Sequence, residues 1–157
     1  MKSEQADQAG PPTLSDLKKI AIDLLSRRDH SRQELVQKLQ SKGALYDDIQ
    51  QVLDWCQTEN YQSDERYATL LVRSKINKGY GPLYIAQAAR EQGISKELLT
   101  QTIEALEVDW FALALGQYQK KYGDKPATDF QDKQKRMGYL QRRGFNGAQI
   151  QYALKPD

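Results

Sequence analysis

The chain has 157 residues, enough for one ordinary domain or for three units of about 45 residues that share a core. It is 28% charged and 39% hydrophobic with a mean hydropathy of −0.79, a composition that excludes a disordered chain, and no apolar run approaches the roughly 20 residues of a membrane helix. The net charge is +2, divided unevenly: residues 1 to 60 carry 8 Lys+Arg against 10 Asp+Glu, residues 107 to 157 carry 9 against 6. The polar N-terminus lacks a hydrophobic signal core, and the single cysteine, Cys56, excludes a disulfide framework, so a cytoplasmic protein is expected.

A first helix is predicted over residues 15 to 28, with Leu17, Ile20, Ala21 and Leu24 at the spacing of one face. Ser31 and Glu34 form an S-x-x-E capping box for a second helix, which runs to Lys42 and stops at Gly43. The third covers 46 to 59, turning Ile49, Val52, Leu53 and Cys56 inward. Ser63 caps a fourth helix over 64 to 77, and Gly81-Pro82 opens a fifth with proline at the first helical position, where its missing N–H costs nothing. Gly93 closes the fifth, Ser95 caps a sixth over 96 to 106, and Asp109 caps a seventh that ends at Gly123. The eighth covers 129 to 143 and stops at Gly144, after which Asn146 caps a ninth. No segment has the alternating period of a strand, so the expected fold is all-α.

Three of the glycine stops carry a repeat. Leu39, Gly43, Ile49, Val52 and Leu53 share their offsets with Ala89, Gly93, Leu99, Thr102 and Ile103, and with Leu140, Gly144, Ile150, Ala153 and Leu154. This predicts three tandem three-helix repeats in an elongated, curved array: a disordered N-terminal tail over 1–13, then repeats over 14–60, 61–107 and 108–157. Stacked units of this kind usually bind another polymer along their length.

The residues offer little to catalysis. Asp29, His30 and Ser31 have the residue types of a hydrolytic triad, but sequence neighbours rarely meet in that geometry, and Ser31 already caps a helix. His30 is read as a helix-junction residue. Asp47-Asp48 and Asp64-Glu65 sit in first helical turns, where carboxylates favour the helix dipole without a metal. No catalytic residue, metal or cofactor is expected. The loop Lys78-Gly79-Tyr80-Gly81-Pro82 leaves two readings: free N–H groups of Gly79, Tyr80 and Gly81 contacting a phosphate at a helix N-terminus, or glycines that only permit positive φ before the proline. It lacks the Walker A spacing.

Basic faces offer more. On the eighth helix Phe130, Met137 and Leu140 fall on the inward side, Lys135, Tyr139 and Arg142 project from the opposite side, and Arg136 and Arg143 flank them. A tyrosine among cations suits a stacked base with its phosphates, while the plainer alternative is a solvated face. Arg66 and Arg73, seven residues apart on the fourth helix, share a face and are followed by Lys75 and Lys78. Phe111, Ala114, Leu115, Tyr118 and Tyr122 of the seventh helix are read as core, as are Trp55 and Trp110.

The motifs also carry a resemblance. Arg28-Asp29-His30-Ser31 with Glu34-Leu35, Lys38-Leu39 and Gly43 resembles the opening signature of the RecX family, bacterial regulators of the RecA recombinase. Tyr61 with Asp64-Glu65-Arg66-Tyr67-Ala68, Arg73 with Lys78-Gly79-Tyr80-Gly81-Pro82, Ile85 and Gly93-Ile94, and Lys121-Tyr122-Gly123 with Arg142-Arg143-Gly144-Phe145 resemble its later blocks, over about residues 15 to 155. Asn60 and Gln62 stand where a glycine and an apolar residue are usual, and Ala89 replaces a larger apolar residue; asparagine keeps the helix stop, since it tolerates the left-handed conformation. The resemblance implies a non-enzymatic, monomeric protein that binds the RecA nucleoprotein filament along its groove and suppresses ATP hydrolysis, strand exchange and coprotease activity, limiting recombination and the SOS response. The expected contact set is Arg66, Arg73, Lys75, Lys78, Lys135, Arg136, Tyr139, Arg142 and Arg143, meeting RecA or single- or double-stranded DNA. The alternative is a direct DNA-binding module built of helix-turn-helix-like repeats.

Overall fold

Local capping signals place the helix boundaries. In the computed structural model, which describes residues 10–155, the described residues form nine α-helices and no strand. They are α1 (Leu14–Arg27), α2 (Arg32–Ser41), α3 (Tyr46–Thr58), α4 (Asp64–Asn77), α5 (Pro82–Glu91), α6 (Lys96–Ala105), α7 (Trp110–Tyr122), α8 (Phe130–Arg142) and α9 (Gly147–Leu154). Of the expected N-terminal tail, residues 1–9 lie outside the described residues, while Thr13 is drawn into the fold as the N-cap of α1 through a capping box with Asp16. Ser31 and Glu34 form the predicted box, Ser95, Asp109 and Asn146 cap α6, α7 and α9, and the Ser63 hydroxyl accepts the Arg66 amide at 3.1 Å. The stops behave as the repeat requires: Gly43, Gly93 and Gly144 have φ of 85°, 73° and 97°, and Asn60 takes the left-handed conformation at φ 62°. Glu107 also has positive φ, at 51°, which no sequence signal announces.

The chain divides into two compact units whose boundary falls inside α4, between Tyr67 and Ala68. In the first unit α1, α2 and α3 enclose Leu17, Ala21, Leu35, Leu39, Ile49, Val52, Leu53 and Cys56, all fully or almost fully buried. Each such leucine or valine contributes about 2 kcal/mol of transfer free energy. Burial pushes the Cys56 thiol up, against the smaller opposing effects of Arg32 and Lys18. Trp55 packs against this core, with its ring edge-on to Tyr61 at 5.4 Å and the Lys18 ammonium 4.7 Å over it.

The second unit contains α4 from Ala68 onward and the helices α5 to α9. Here Ala114, Tyr118, Leu140, Phe145, Ile150 and Ala153 form a buried cluster among α7, α8 and α9. Two aromatic residues expected in the core are not there: Phe130 is 72% exposed and Phe111 is 43% exposed, the latter edge-on to Tyr152 at 5.6 Å. Phe130 is the first residue of α8, one step past the N-cap Asp129, where no preceding helical turn exists to cover it.

The triplets of this unit meet through backbone. The Gly81 amide donates to the Arg143 carbonyl at 2.7 Å and the Leu83 amide to the Gly144 carbonyl at 2.9 Å. A β-carbon on Gly81 would fall 2.6 Å from the Gly144 carbonyl carbon, and one on Gly144 would meet the Tyr84 backbone. Gly81 itself has φ of −96°, so the expectation that it permits positive φ is corrected: it is there because two backbones touch. Gly79, at φ 88°, does have the expected conformation.

Candidate functional site

Loop chemistry sets the first part of the site. The α4–α5 connection bends through Gly79 and brings Tyr80 and Tyr84 face to face, with ring centroids 3.7 Å apart and planes within 5°. The Tyr80 and Tyr84 hydroxyls are hydrogen-bonded to each other, which raises the Tyr84 phenol above its ordinary value. The Lys75 ammonium lies 5.7 Å from the Tyr84 ring on one side of this pair. On the other side the Arg143 guanidinium sits 4.8 Å over Tyr80 and 5.8 Å from Tyr139, and the Lys121 ammonium lies 5.3 Å over Tyr139. The result is an alternating array of cations and tyrosines, Lys75, Tyr84, Tyr80, Arg143, Tyr139 and Lys121, drawn from α4, α5, α7 and α8 with their flanking residues. Each cation–ring contact of this kind is worth about 0.5–1 kcal/mol near the surface.

The array joins residues far apart in sequence, and the reason is the Gly81–Gly144 contact. By pairing the start of α5 with the end of α8, it places the side chains flanking both glycines within ring contact. Arg143 Nε is enclosed without a hydrogen-bond partner, so that edge of the guanidinium is positioned by the rings rather than by an acceptor. Sequence reading found Tyr139 and Arg143 but missed Tyr84 and Lys121 as members; their signal was only an aromatic or a cation within a few residues of the glycine blocks.

The same hydrogen bonds correct the phosphate loop. Gly79, Tyr80 and Gly81 donate to the carbonyls of Ile76, Lys75 and Arg143, at 2.9, 3.0 and 2.7 Å. Residue 82 is proline and the Leu83 amide is committed to Gly144, so none of the three amides predicted to contact a phosphate is a free donor. The glycines are turn and contact residues.

The predicted contact residues of the second unit separate into three groups. Arg73, Lys78, Lys135 and Arg142 are exposed, as expected. Lys75, Tyr139 and Arg143 are half-buried and tied into the array. Arg136 is the correction: only 6% exposed, its Nη1 donates to the Tyr118 hydroxyl at 2.8 Å and to the Lys125 carbonyl at 2.6 Å, and its Nη2 pairs with Asp132 at 3.2 Å. Its guanidinium lies 4.6 Å over the Tyr122 ring. Although it flanks the outward face, its guanidinium is held inward by the Tyr118 hydroxyl, Asp132 and the Lys125 carbonyl of the α7–α8 connection.

Arg66 belongs to the first unit and is engaged there. Its Nη1 and Nη2 donate to the Asn60 side chain and carbonyl, each at 2.9 Å, and its Nε reaches Asp29 at 3.4 Å. It therefore clamps the left-handed turn that ends α3. Around it the α1–α2 junction is built: Arg28 grips Glu34 with two hydrogen bonds, of 3.1 and 2.8 Å, and His30, 2% exposed, donates from Nδ1 to the Arg28 carbonyl and accepts the Lys38 ammonium at Nε2, both at 3.0 Å. Burial raises the Glu34 carboxyl, but the Arg28 hydrogen bonds and the Ser31 amide outweigh it and hold it below its ordinary value. Burial, with Glu34 beside it, pushes the Tyr67 phenol up to about 12. His30 is a junction residue, with both ring nitrogens occupied.

Comparison with known proteins agrees with this arrangement of helices. Family models described as the first, second and third three-helix domains of RecX match residues 18–56, 63–103 and 107–154, in that order. The chain belongs to the RecX family. Among curated relatives, Regulatory protein RecX of Vibrio campbellii is 39% identical over 143 residues, covering 91% of this chain and 92% of the relative. Regulatory protein RecX of Xanthomonas axonopodis pv. citri is 36% identical over 137 residues, covering 87% and 85%. Two crystal structures share the RecX fold: a regulatory protein RecX with a TM-score of 0.72 and 23% identity, covering 88% of this chain and 73% of that one, and RecX from Lactobacillus salivarius with a TM-score of 0.76 and 20% identity, covering 90% and 94%. These RecX relatives are named as regulators, not as enzymes.

Proposed function

We propose that this RecX-family chain binds the RecA nucleoprotein filament in the cytoplasm and inhibits RecA ATPase, strand exchange and coprotease activity, thereby restraining recombination and the SOS response. The observation that carries the reading is the match of all three RecX domains, in order, from residue 18 to residue 154. The physical arrangement supports it: Arg73, Lys78, Lys135 and Arg142 are exposed cations of one unit, suited to acidic protein surface or phosphates, and the Lys75–Tyr84–Tyr80–Arg143–Tyr139 array braces the helices that present them. The protein acts by occupancy, as a monomer and without a cofactor. The test is RecA ATPase on single-stranded DNA with substoichiometric protein, where turnover and strand exchange fall together; unchanged rates reject the proposal.

A direct DNA-binding module is the second reading, favoured by the tyrosines set among cations, since bases stack on aromatic faces while lysine and arginine hold phosphates. It predicts binding to DNA without RecA, with an affinity that falls steeply as salt rises. Absence of any mobility shift at low salt removes it.

A further inference from the structure

The first unit holds a second charged surface that the filament reading does not use. Between α1 and α2 lies a cleft of about 520 Å³, walled by Lys19 and Arg27 of α1 and by Lys38 and Lys42 at the end of α2. Its acidic lining residue is Asp23, already paired with Arg27 at 2.9 Å. Lys38 donates to His30, a histidine kept neutral by its burial, so that contact leaves the lysine charge in place. Residues 1 to 67 nevertheless carry twelve Asp+Glu against nine Lys+Arg. The cleft thus gathers four cations around one lining carboxylate, with Asp16, outside the lining, close enough to Lys19 to feel its charge.

The floor distinguishes between anionic ligands. Ile20 and Leu24 form it, half-buried aliphatic side chains that pack on the unit's core. No aromatic ring lines the cleft, so it lacks the stacking platform that single-stranded nucleic acid uses. An aliphatic floor between cationic walls is complementary instead to a peptide that alternates acidic and aliphatic residues, its apolar side chains covering the floor and its carboxylates meeting the lysines. We infer that the α1–α2 cleft is a docking groove for an acidic, leucine-bearing segment of a partner protein. The inference does not rest on the filament reading, because its readout is peptide binding alone.

The experiment uses the full chain and a short fluorescein-labelled peptide of glutamate and leucine, followed by fluorescence anisotropy. Saturable binding that weakens with salt is expected, with a loss of about tenfold or more in Lys19→Glu/Lys42→Glu. A glutamine-for-glutamate peptide and a serine-for-leucine peptide should each bind more weakly than the parent. Both substituted lysines are exposed, and a circular dichroism melt matching the wild type establishes that the variant is folded. Equal binding by wild type and variant, or by the parent and glutamine peptides, overturns the proposal. So does an oligothymidylate that displaces the peptide and loses its own binding in the same variant, since that assigns the cleft to nucleic acid.

Discussion

His30 shows how a residue with catalytic credentials becomes structural. Its imidazole is buried at the α1–α2 junction, and burial holds its pKa below the ordinary 6.5, aided by Arg28 and Lys38 and opposed by the hydrogen bond to the Arg28 carbonyl and by Glu34. Because the folded-state pKa is depressed, the unfolded chain binds the proton more readily; the stability His30 contributes is complete above pH 6.5 and is lost as pH falls through the lowered folded value. Thermal melts from about pH 8 to about pH 5 should show Tm falling by a few degrees more in wild type than in His30→Gln, with the difference opening below neutrality. Arg136 supplies a second case. Arg136→Met removes a donor from the Tyr118 hydroxyl and the Lys125 carbonyl, and should lower Tm by about 5 °C, whereas Lys135→Ala, one residue away and exposed, should change it by less than about 1 °C. Differential scanning fluorimetry of the two variants is sufficient.

At the scale of elements, the two glycines between α4–α5 and α8–α9 govern how the second unit closes. Each lies where a β-carbon would strike backbone of the other triplet, and backbone cannot step aside as a flexible side chain can. Gly81→Ala and Gly144→Ala should therefore each cost about 2 kcal/mol or more in urea unfolding, with loss of the Tyr80–Tyr84 stack as a change in near-ultraviolet circular dichroism. Gly43→Ala is the control. It shares the positive φ of Gly144 but nothing lies within 4 Å of its β-carbon position, so only the conformational cost of about 1 kcal/mol is expected. The same repeat position thus does two different jobs, a helix stop at Gly43 and a helix stop plus an inter-triplet contact at Gly144.

For the whole molecule, the cations that remain exposed are the ones to test for partner binding. Lys135→Glu/Arg142→Glu should weaken co-sedimentation with RecA filaments by about tenfold while leaving Tm near the wild-type value, because neither side chain is buried. Arg66→Glu should do the reverse in character, lowering stability by freeing the Asn60 turn and setting two carboxylates at Asp29. Much of this protein was legible in its sequence. Apolar spacing, S-x-x-E boxes, Gly81-Pro82 and the glycine stops act over three or four residues, so helix positions, the all-α class and the threefold pattern followed from local chemistry, and linked motifs named the family. Burial of an individual cation did not follow. Helical spacing assigns a direction from the axis, but whether Arg136 meets solvent depends on carbonyls of a distant loop, and whether the Gly79–Gly81 amides are free depends on Arg143 and Gly144. Those partners are set by how the triplets pack, which only the tertiary structure decided, because hydrogen bonds between remote segments leave no periodic trace in the chain.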